Sequence, residues 1–412
     1  MQISDASSKF NVVVSTMAEA EHLLDQLLKA RDDGKTVNVR LFPAASTNLR
    51  PSRKPNRTWQ ILYGIPLPPS QVHRLAAIGT KLGPGSISVL VDDRSQLLAA
   101  STFKDLTGFP LYLSVKVDTG YHRAGLPTRS AAFSSLVRAI FELERHEIGV
   151  LHGFYSHAGH SYSSDSPTSA MNFLIEEVEG LEKAAIEATS LRPSSGPALR
   201  YSLSVGATPS ATSVKCLQHK DPPPLAQKLQ TIIRRVNQNH SIELHAGVYP
   251  FLDMQQLATH AELGEPSLNK LLSTIVALTI LVEVASVYEQ RSPPEALIAA
   301  GTLALGREPC KSYDGWGVVS DWGMKLDVEQ SLGLVECGWK VGRISQEHSI
   351  LTRNANQENK YADLRVGQKL RIWPNHACVA SAGFSYYLVV DSSLSEDWQN
   401  TIVDVWVRAR GW

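Results

Sequence analysis

The sequence predicts an α/β protein in which a parallel-sheet domain is followed by a smaller, mostly antiparallel β domain. Two patterns point there. The first two thirds of the 412 residues alternate short β-branched runs with helical stretches of about 10 to 18 residues, the rhythm of successive βα units. Beyond about residue 265, helices become scarce and β-rich runs take over. The length agrees, because it suits two or three domains of roughly 150 residues each.

In chain order, strands are expected at 11–14, 60–63, 86–91, 111–117, 149–155, 201–205 and 242–246. After the first, Thr16 and Glu19 form a T-x-x-E capping box, and Leu23, Leu24, Leu27 and Leu28 recur at helical spacing until Gly34 ends the run. Residues 39–59 fit neither period. Pro43, Pro51 and Pro55 alternate there with Arg40, Arg50, Arg53, Lys54 and Arg57, which predicts an exposed basic loop inserted into the first domain. In the second domain the β-rich runs are 275–288, 370–372, 378–390 and 402–407. The expected division is 1–264 and 265–412.

Composition removes several function classes. Lys+Arg and Asp+Glu both number 40, so no excess of positive charge points to nucleic acid or an anionic membrane. The most apolar stretch, 271–287, is broken by Ser273, Thr274, Thr279, Glu283 and Ser286, and falls short of the roughly 20 apolar residues of a bilayer span. Cys216, Cys310, Cys337 and Cys378 are too scattered for a disulfide framework and form no CxxC pair, as suits a reducing compartment. The opening residues lack the basic and apolar regions of a secretory signal. A folded protein of the cytoplasm is expected.

Five clusters could carry chemistry. Lys116-Val-Asp118-Thr-Gly120-Tyr-His122-Arg123-Ala-Gly125 runs from a strand into a glycine-bounded turn, and in a parallel α/β protein the C-terminal ends of strands form the binding rim. A surface turn with a solvated arginine is the plainer alternative. Phe154-Tyr155-Ser156-His157-Ala-Gly159-His160-Ser161-Tyr162 follows another strand and gathers two imidazoles and two phenols, a surface suited to a flat heteroaromatic ligand. Ser204-Val-Gly206-Ala-Thr208-Pro209 and His245-Ala-Gly247-Val248-Tyr249 each place a glycine just after a strand, where backbone N–H groups can converge on a phosphate. Neither is a GxGxxG or GxxxxGK[ST] fingerprint. In Pro374-Asn375-His376-Ala377-Cys378, an extended chain would put the His376 imidazole and the Cys378 thiol on one face, a donor pair that suits zinc. A core cysteine beside a satisfied histidine is the alternative there.

Taken in order, these segments resemble the eukaryotic D-serine dehydratases, pyridoxal-phosphate enzymes of the alanine racemase fold type that also includes D-threonine aldolase. The resemblance runs from Lys9-Phe-Asn-Val-Val-Val-Ser-Thr-Met-Ala-Glu-Ala-Glu21 to Val405-Trp-Val-Arg-Ala-Arg-Gly-Trp412. It also takes in Ile61-Leu-Tyr-Gly-Ile-Pro-Leu67, Ala304-Leu-Gly-Arg-Glu-Pro309 and Ser345-Gln-Glu-His348, and is interrupted mainly at 39–59. It implies an alanine racemase-like, TIM-type barrel with its first strand missing, a β domain behind it, and a homodimer. It also implies pyridoxal 5'-phosphate and zinc as cofactors, with D-serine or a related D-hydroxy amino acid as substrate.

The resemblance places Tyr155, Tyr162, Thr208, Gly247 and Val248 around the cofactor, with Arg123 reaching its ring. His157 and Gly206, from the same strand ends, complete the expected cofactor-binding set. His376 and Cys378 match the zinc pair. Val248 stands where the family has asparagine, which leaves the backbone N–H to meet the phosphate.

The implied reaction is zinc-assisted β-elimination of D-serine to pyruvate and ammonia. The family's Schiff-base lysine lies in an Arg-Pro-His-x-Lys-Thr-His-Lys type motif that this sequence does not contain. Lys116 lies on a strand, but the family keeps a lysine there beside the Schiff-base one. The expectation is an incomplete dehydratase with negligible turnover. Two other readings are a D-threonine aldolase-like lyase, against which the Cys378 thiol argues, and a non-catalytic pyridoxal-phosphate-binding protein.

Overall fold

The computed structural model describes residues 9–32, 58–193, 200–261, 276–320, 322, 338–353, 363–391, 393–394 and 400–411. Seven strands, β1 (Lys9–Val14), β2 (Thr58–Pro66), β3 (Ile87–Val91), β4 (Leu111–Lys116), β5 (Gly149–Tyr155), β6 (Ser202–Val205) and β7 (Ser241–Leu244), form one sheet in sequence order. Every adjacent pair is parallel. All seven strands read from the sequence are present.

The helices joining them are α1 (Met17–Asp32), α2 (Val72–Leu82), α3 (Leu98–Thr107), α4 (Ala131–Arg145), α5 (Pro167–Leu191), the short α6 (Thr208–Thr212) and α7 (Pro224–Asn239). The capping box is made as read: Glu19 N–H donates to Thr16 Oγ1 at 3.2 Å, and Glu19 Oε2 accepts from Thr16 N–H at 2.9 Å. Ser130 and Ser166 cap α4 and α5 through their side chains. Pro167, at the first helical position of α5, gives up an N–H that the helix start leaves unbonded anyway.

The helices bury their apolar stripes on the sheet. Residues 87–91 of β3 are buried throughout, as a strand covered on both faces requires. Strands β5 and β6 come so close that a Cβ on Gly153 would lie 1.9 Å from the Ser202 carbonyl oxygen. Gly153→Ala is therefore expected to lower stability by about 3 kcal/mol, read from a denaturant melt followed by circular dichroism. A melt matching the parent chain would show that the strands do not meet there. The outer strands β1 and β7 approach each other too, for Asn11 Nδ2 donates to Glu243 Oε1 at 2.7 Å.

The remaining strands are antiparallel. β8 (Ile280–Tyr288), β9 (Glu295–Ile298), β10 (Gly317–Val319), β11 (Trp339–Ile344), β12 (Ser349–Arg353) and β13 (Lys369–Pro374) close into a barrel in the order β10-β11-β12-β9-β8-β13. Val284, Ile298, Val341, Leu351, Leu370 and Ile372 fill its core. β14 (Tyr386–Val389) and β15 (Asp404–Val407) form a separate two-stranded sheet.

One expectation needs correcting. Residues 378–390 are not a continuous strand, since a short helix, Ala377–Ser381, precedes β14. His376 is its N-cap residue and Cys378 lies in its first turn, so the extended two-residue repeat that was to align them does not exist. The basic loop expected at 39–59 lies outside the described residues up to position 57, and its last two residues, Thr58 and Trp59, open β2 instead. The boundary expected at 264/265 also lies outside the described residues. Among the described residues no helix is long and apolar enough to cross a membrane.

Candidate active site

The site forms where β4, β5, β6 and β7 end. Lys116, the last residue of β4, is 6% exposed and carries its ammonium 4.7 Å from the Tyr155 ring centroid. Tyr155 closes β5 and stacks on His245, just past β7, with ring centroids 4.3 Å apart and planes within 6°. His157 stacks on the same imidazole at 5.8 Å. Ser204 Oγ lies 2.9 Å from His245 Nδ1, while Nε2 of that ring is buried with no hydrogen-bond partner. Gly206 follows β6 with φ 130°, and a Cβ there would lie 2.4 Å from the His245 carbonyl oxygen. Only glycine allows the two strand ends to approach so closely.

Burial governs the electrostatics of this cluster. It lowers the Lys116 pKa to about 8, although Glu177 draws it back up. Burial, reinforced by the Arg123 and Lys116 charges, lowers His157 to about 4. His245 falls well below the ordinary imidazole value for the same first reason, with His157 and Lys116 adding to it. Burial pushes the Tyr155 and Tyr162 phenols up. The cluster thus holds neutral imidazoles and neutral phenols around one buried amine.

Sequence reading missed Glu177 on α5. It is 1% exposed, and neither carboxylate oxygen closes a hydrogen bond. Burial raises its pKa to about 7, against the pull of the Gly206 N–H, the Ser156 hydroxyl, the Lys116 charge and the Ala158 N–H. A signal existed, because position 177 shares an apolar helical stripe with Leu174, Val178 and Leu181, where a carboxylate is out of place.

The first cluster reaches this site only in part. His122 is exposed and pairs with Asp118, Nδ1 to Oδ2 at 2.8 Å. Asp118 Oδ1 also accepts from the N–H groups of Gly120 at 3.0 Å and His122 at 3.1 Å, so it organises the turn. Arg123 lies at the exposed rim, 5.1 Å over the Tyr121 ring. His160 stands apart from the strand-end cluster, packed between Tyr121 and Phe173.

The two glycine loops do come together. Val248 N–H donates to Thr208 Oγ1 at 3.2 Å, which ties the loop after β7 to the start of α6. That N–H is therefore engaged within the protein, contrary to the expectation that it is free for an anion. Gly247 beside it faces open space.

The second domain meets the first at Tyr162, whose ring lies parallel to the His376 imidazole within 11° at 6.3 Å. The loop after β7 leads here through α8 (Met254–Ala258). Asp253 caps α8 by accepting from Gln256 N–H at 2.8 Å, and its other oxygen accepts from Ala377 N–H at 2.8 Å. Burial raises the Asp253 pKa despite these bonds. Gln255 Oε1 lies 2.6 Å from His376 Nδ1.

Asn375 anchors the end of β13, donating to the Glu308 and Gly315 carbonyls, both at 2.8 Å, and accepting from the Tyr313 hydroxyl. The Cys378 residue is open to solvent on one side, while packing around its thiol and the nearby Asp253 carboxylate raise its pKa. Among the described residues no group of three or more His, Cys, Asp or Glu side chains gathers as a metal centre.

Comparison with known proteins agrees with this architecture. The alanine racemase N-terminal domain family matches residues 11–203, and the serine dehydratase domain family matches residues 277–390. The D-serine dehydratase of Schizosaccharomyces pombe is 31% identical over 417 residues, covering 100% of this chain and 81% of that protein. The D-serine dehydratase of Saccharomyces cerevisiae is 34% identical over 330 residues, covering 79% of this chain and 69% of that one. Among solved structures, an alanine racemase-like protein from Idiomarina loihiensis superposes with a TM-score of 0.66 at 21% identity, over 99% of this chain and 85% of that one. The fold, the strand-end site and these relatives together show that the chain belongs to the D-serine dehydratase family of lyases.

Proposed function

We propose that the strand-end cluster binds pyridoxal phosphate, that His376 and Cys378 bind zinc beside it, and that the chemistry this site is built for is β-elimination of water from D-serine. The single observation that carries this reading is the parallel approach of Tyr162 and His376, which sets the imidazole of the second domain against the rim of the first.

The residues present fit both groups. Gly247 faces open space next to the buried Thr208, and the stacked Tyr155, His245 and His157 rings offer an aromatic wall with an unpartnered imidazole nitrogen. An imidazole and a thiol with an open side make a donor pair suited to zinc. When bound, the two would supply an electron sink for the substrate's α-carbon and Lewis acidity for its departing hydroxyl.

The chain's own side chains orient and exclude. Arg123 at the rim would reach the pyridoxal ring, the role the resemblance gives it. Thr208 and Gly247 would hold the phosphate end, and the neutral His157 and His245 keep buried positive charge low around Lys116.

The division expected from sequence belongs to this reading: a cofactor barrel over 1–264 and a zinc-bearing β domain over 265–412. The two family matches fall on either side of that boundary. We place the protein in the cytoplasm, a reading supported by cysteines at positions 216, 310, 337 and 378 that are too scattered for a disulfide framework. We also read it as a homodimer, supported by the exposed apolar side chains Tyr386, Leu388, Val405 and Val407 on the β14–β15 sheet.

Lys116, held over the Tyr155 ring, reaches the cluster from β4. Two results are expected of the purified chain: it takes up pyridoxal phosphate, read from the visible absorbance of the bound cofactor, and it takes up zinc, read by metal analysis, with a pyruvate assay on D-serine then testing the elimination. Failure to take up either pyridoxal phosphate or zinc would overturn the site.

A further inference from the structure

We infer that Gln255 is the positioning residue that fixes the tautomer of His376 and turns its Nε2 toward the metal. This deepens the zinc reading above and rests on it. Neither residue identifies the other in the sequence, since 121 positions separate them. The link appears only where α8 meets the end of β13.

The two ends of the Gln255 amide differ in what they can do. Gln255 Nε2 donates to the Pro309 carbonyl at 2.8 Å. A carbonyl oxygen accepts and cannot donate, so that contact fixes which end of the amide is nitrogen. Oε1 is thereby directed at His376 Nδ1, 2.6 Å away, and an amide oxygen can only accept. Nδ1 must carry the proton. In a neutral imidazole the lone pair then resides on Nε2, the form a metal requires.

The backbone holds Gln255 as firmly as the side chain does. Its N–H donates to the Asn375 carbonyl at 3.0 Å, and Asp253 two residues earlier accepts from Ala377 N–H at 2.8 Å. His376 is thus bracketed on both sides by bonds from one short segment of the first domain. The Gln255 contact on Nδ1 limits rotation of the imidazole, and the Tyr162 ring lies parallel to it with centroids 6.3 Å apart. An unheld histidine would have to lose this freedom on binding metal, and here the ordering precedes the metal.

The test uses the full chain and two substitutions. Gln255→Leu removes the acceptor, whereas Gln255→Glu keeps an oxygen on Nδ1–H. Zinc affinity, measured by competition with a chromophoric chelator, is expected to fall roughly 10- to 100-fold in Gln255→Leu and to be retained in Gln255→Glu. Nitrogen NMR of histidine-labelled, zinc-free protein is expected to show His376 protonated at Nδ1 in the parent chain and in Gln255→Glu, but not in Gln255→Leu. Thermal melts confirm that both variants fold.

An unchanged zinc affinity in folded Gln255→Leu would overturn the inference, as would an Nε2–H tautomer in the parent chain. A parent chain that shows the Nδ1–H tautomer yet takes up no zinc would overturn the zinc reading while leaving the hold of Gln255 on His376 in place.

Discussion

Replacing Gly206 with valine is expected to abolish pyridoxal phosphate binding and to lower stability by roughly 3–5 kcal/mol. Two costs combine. The backbone at this position has φ 130°, a region that side chains with a Cβ rarely enter. The new Cβ would also meet the His245 carbonyl oxygen at 2.4 Å, and backbone on the next strand cannot rotate away as a side chain can. Relieving the clash moves His245, and with it the ring on which Tyr155 and His157 stack. Thermal denaturation and the visible absorbance of bound cofactor measure the two effects. A valine variant with the parent's melting temperature and cofactor absorbance would show that β6 and β7 do not approach as described.

Glu177→Gln is expected to leave stability unchanged near pH 4.5 and to raise it above pH 7. The folded protein holds the Glu177 proton up to about pH 7, whereas the unfolded chain releases it near the ordinary 4.5. Between these values the native state binds more protons than the unfolded state, so this group's contribution to stability falls as pH rises. The shift corresponds to about 3 kcal/mol lost by pH 8. Glutamine resembles the protonated acid and does not incur the loss.

Other groups facing this carboxylate act in the opposite sense. His157, lowered to about 4 from 6.5, adds stability as pH climbs through that interval, and Lys116, lowered to about 8 from 10.5, does so above 8. Their trends are common to both proteins, so the difference between the two stability curves isolates Glu177. The loss of an attractive neighbour for Lys116 trims the gain at high pH. Denaturant titrations from pH 4 to 9 provide the comparison, and parallel curves across that range would contradict the assignment of an uncompensated buried carboxylate.

The parallel sheet was legible because each of its strands is a short run with apolar and β-branched residues closed by a turn or a cap, and residues 87–91 are apolar but for Ser88. The strand-end clusters were legible for a related reason. In this topology every βα connection emerges on the same rim, so residues distant in sequence, such as Tyr155, Gly206 and His245, must converge.

Helix Ala377–Ser381 escaped prediction because its few residues are too short to show a period, and the surrounding β-rich composition suggested a strand. His376 and Cys378 were named as a pair on an extended geometry that the structure replaces with a helix start. Gln255 and Asp253 had no local signal at all, for their roles arise only where the start of α8 meets the end of β13, 121 and 124 positions away in sequence. Glu177 was readable in principle as a charge within an apolar stripe, but on a helix that also carries Glu176, Glu179, Glu182 and Glu187 one acid does not stand out.

The most direct measurement is a crystal structure of the chain grown with pyridoxal phosphate and zinc, with anomalous diffraction collected at the zinc edge. The phosphate is expected against Thr208 and Gly247, the pyridine ring along the Tyr155, His157 and His245 wall, and the anomalous peak on His376 Nε2 and Cys378 Sγ. Cofactor density outside the ends of β4 to β7, or a zinc peak on other side chains while His376 and Cys378 stay bare, would contradict the single composite site.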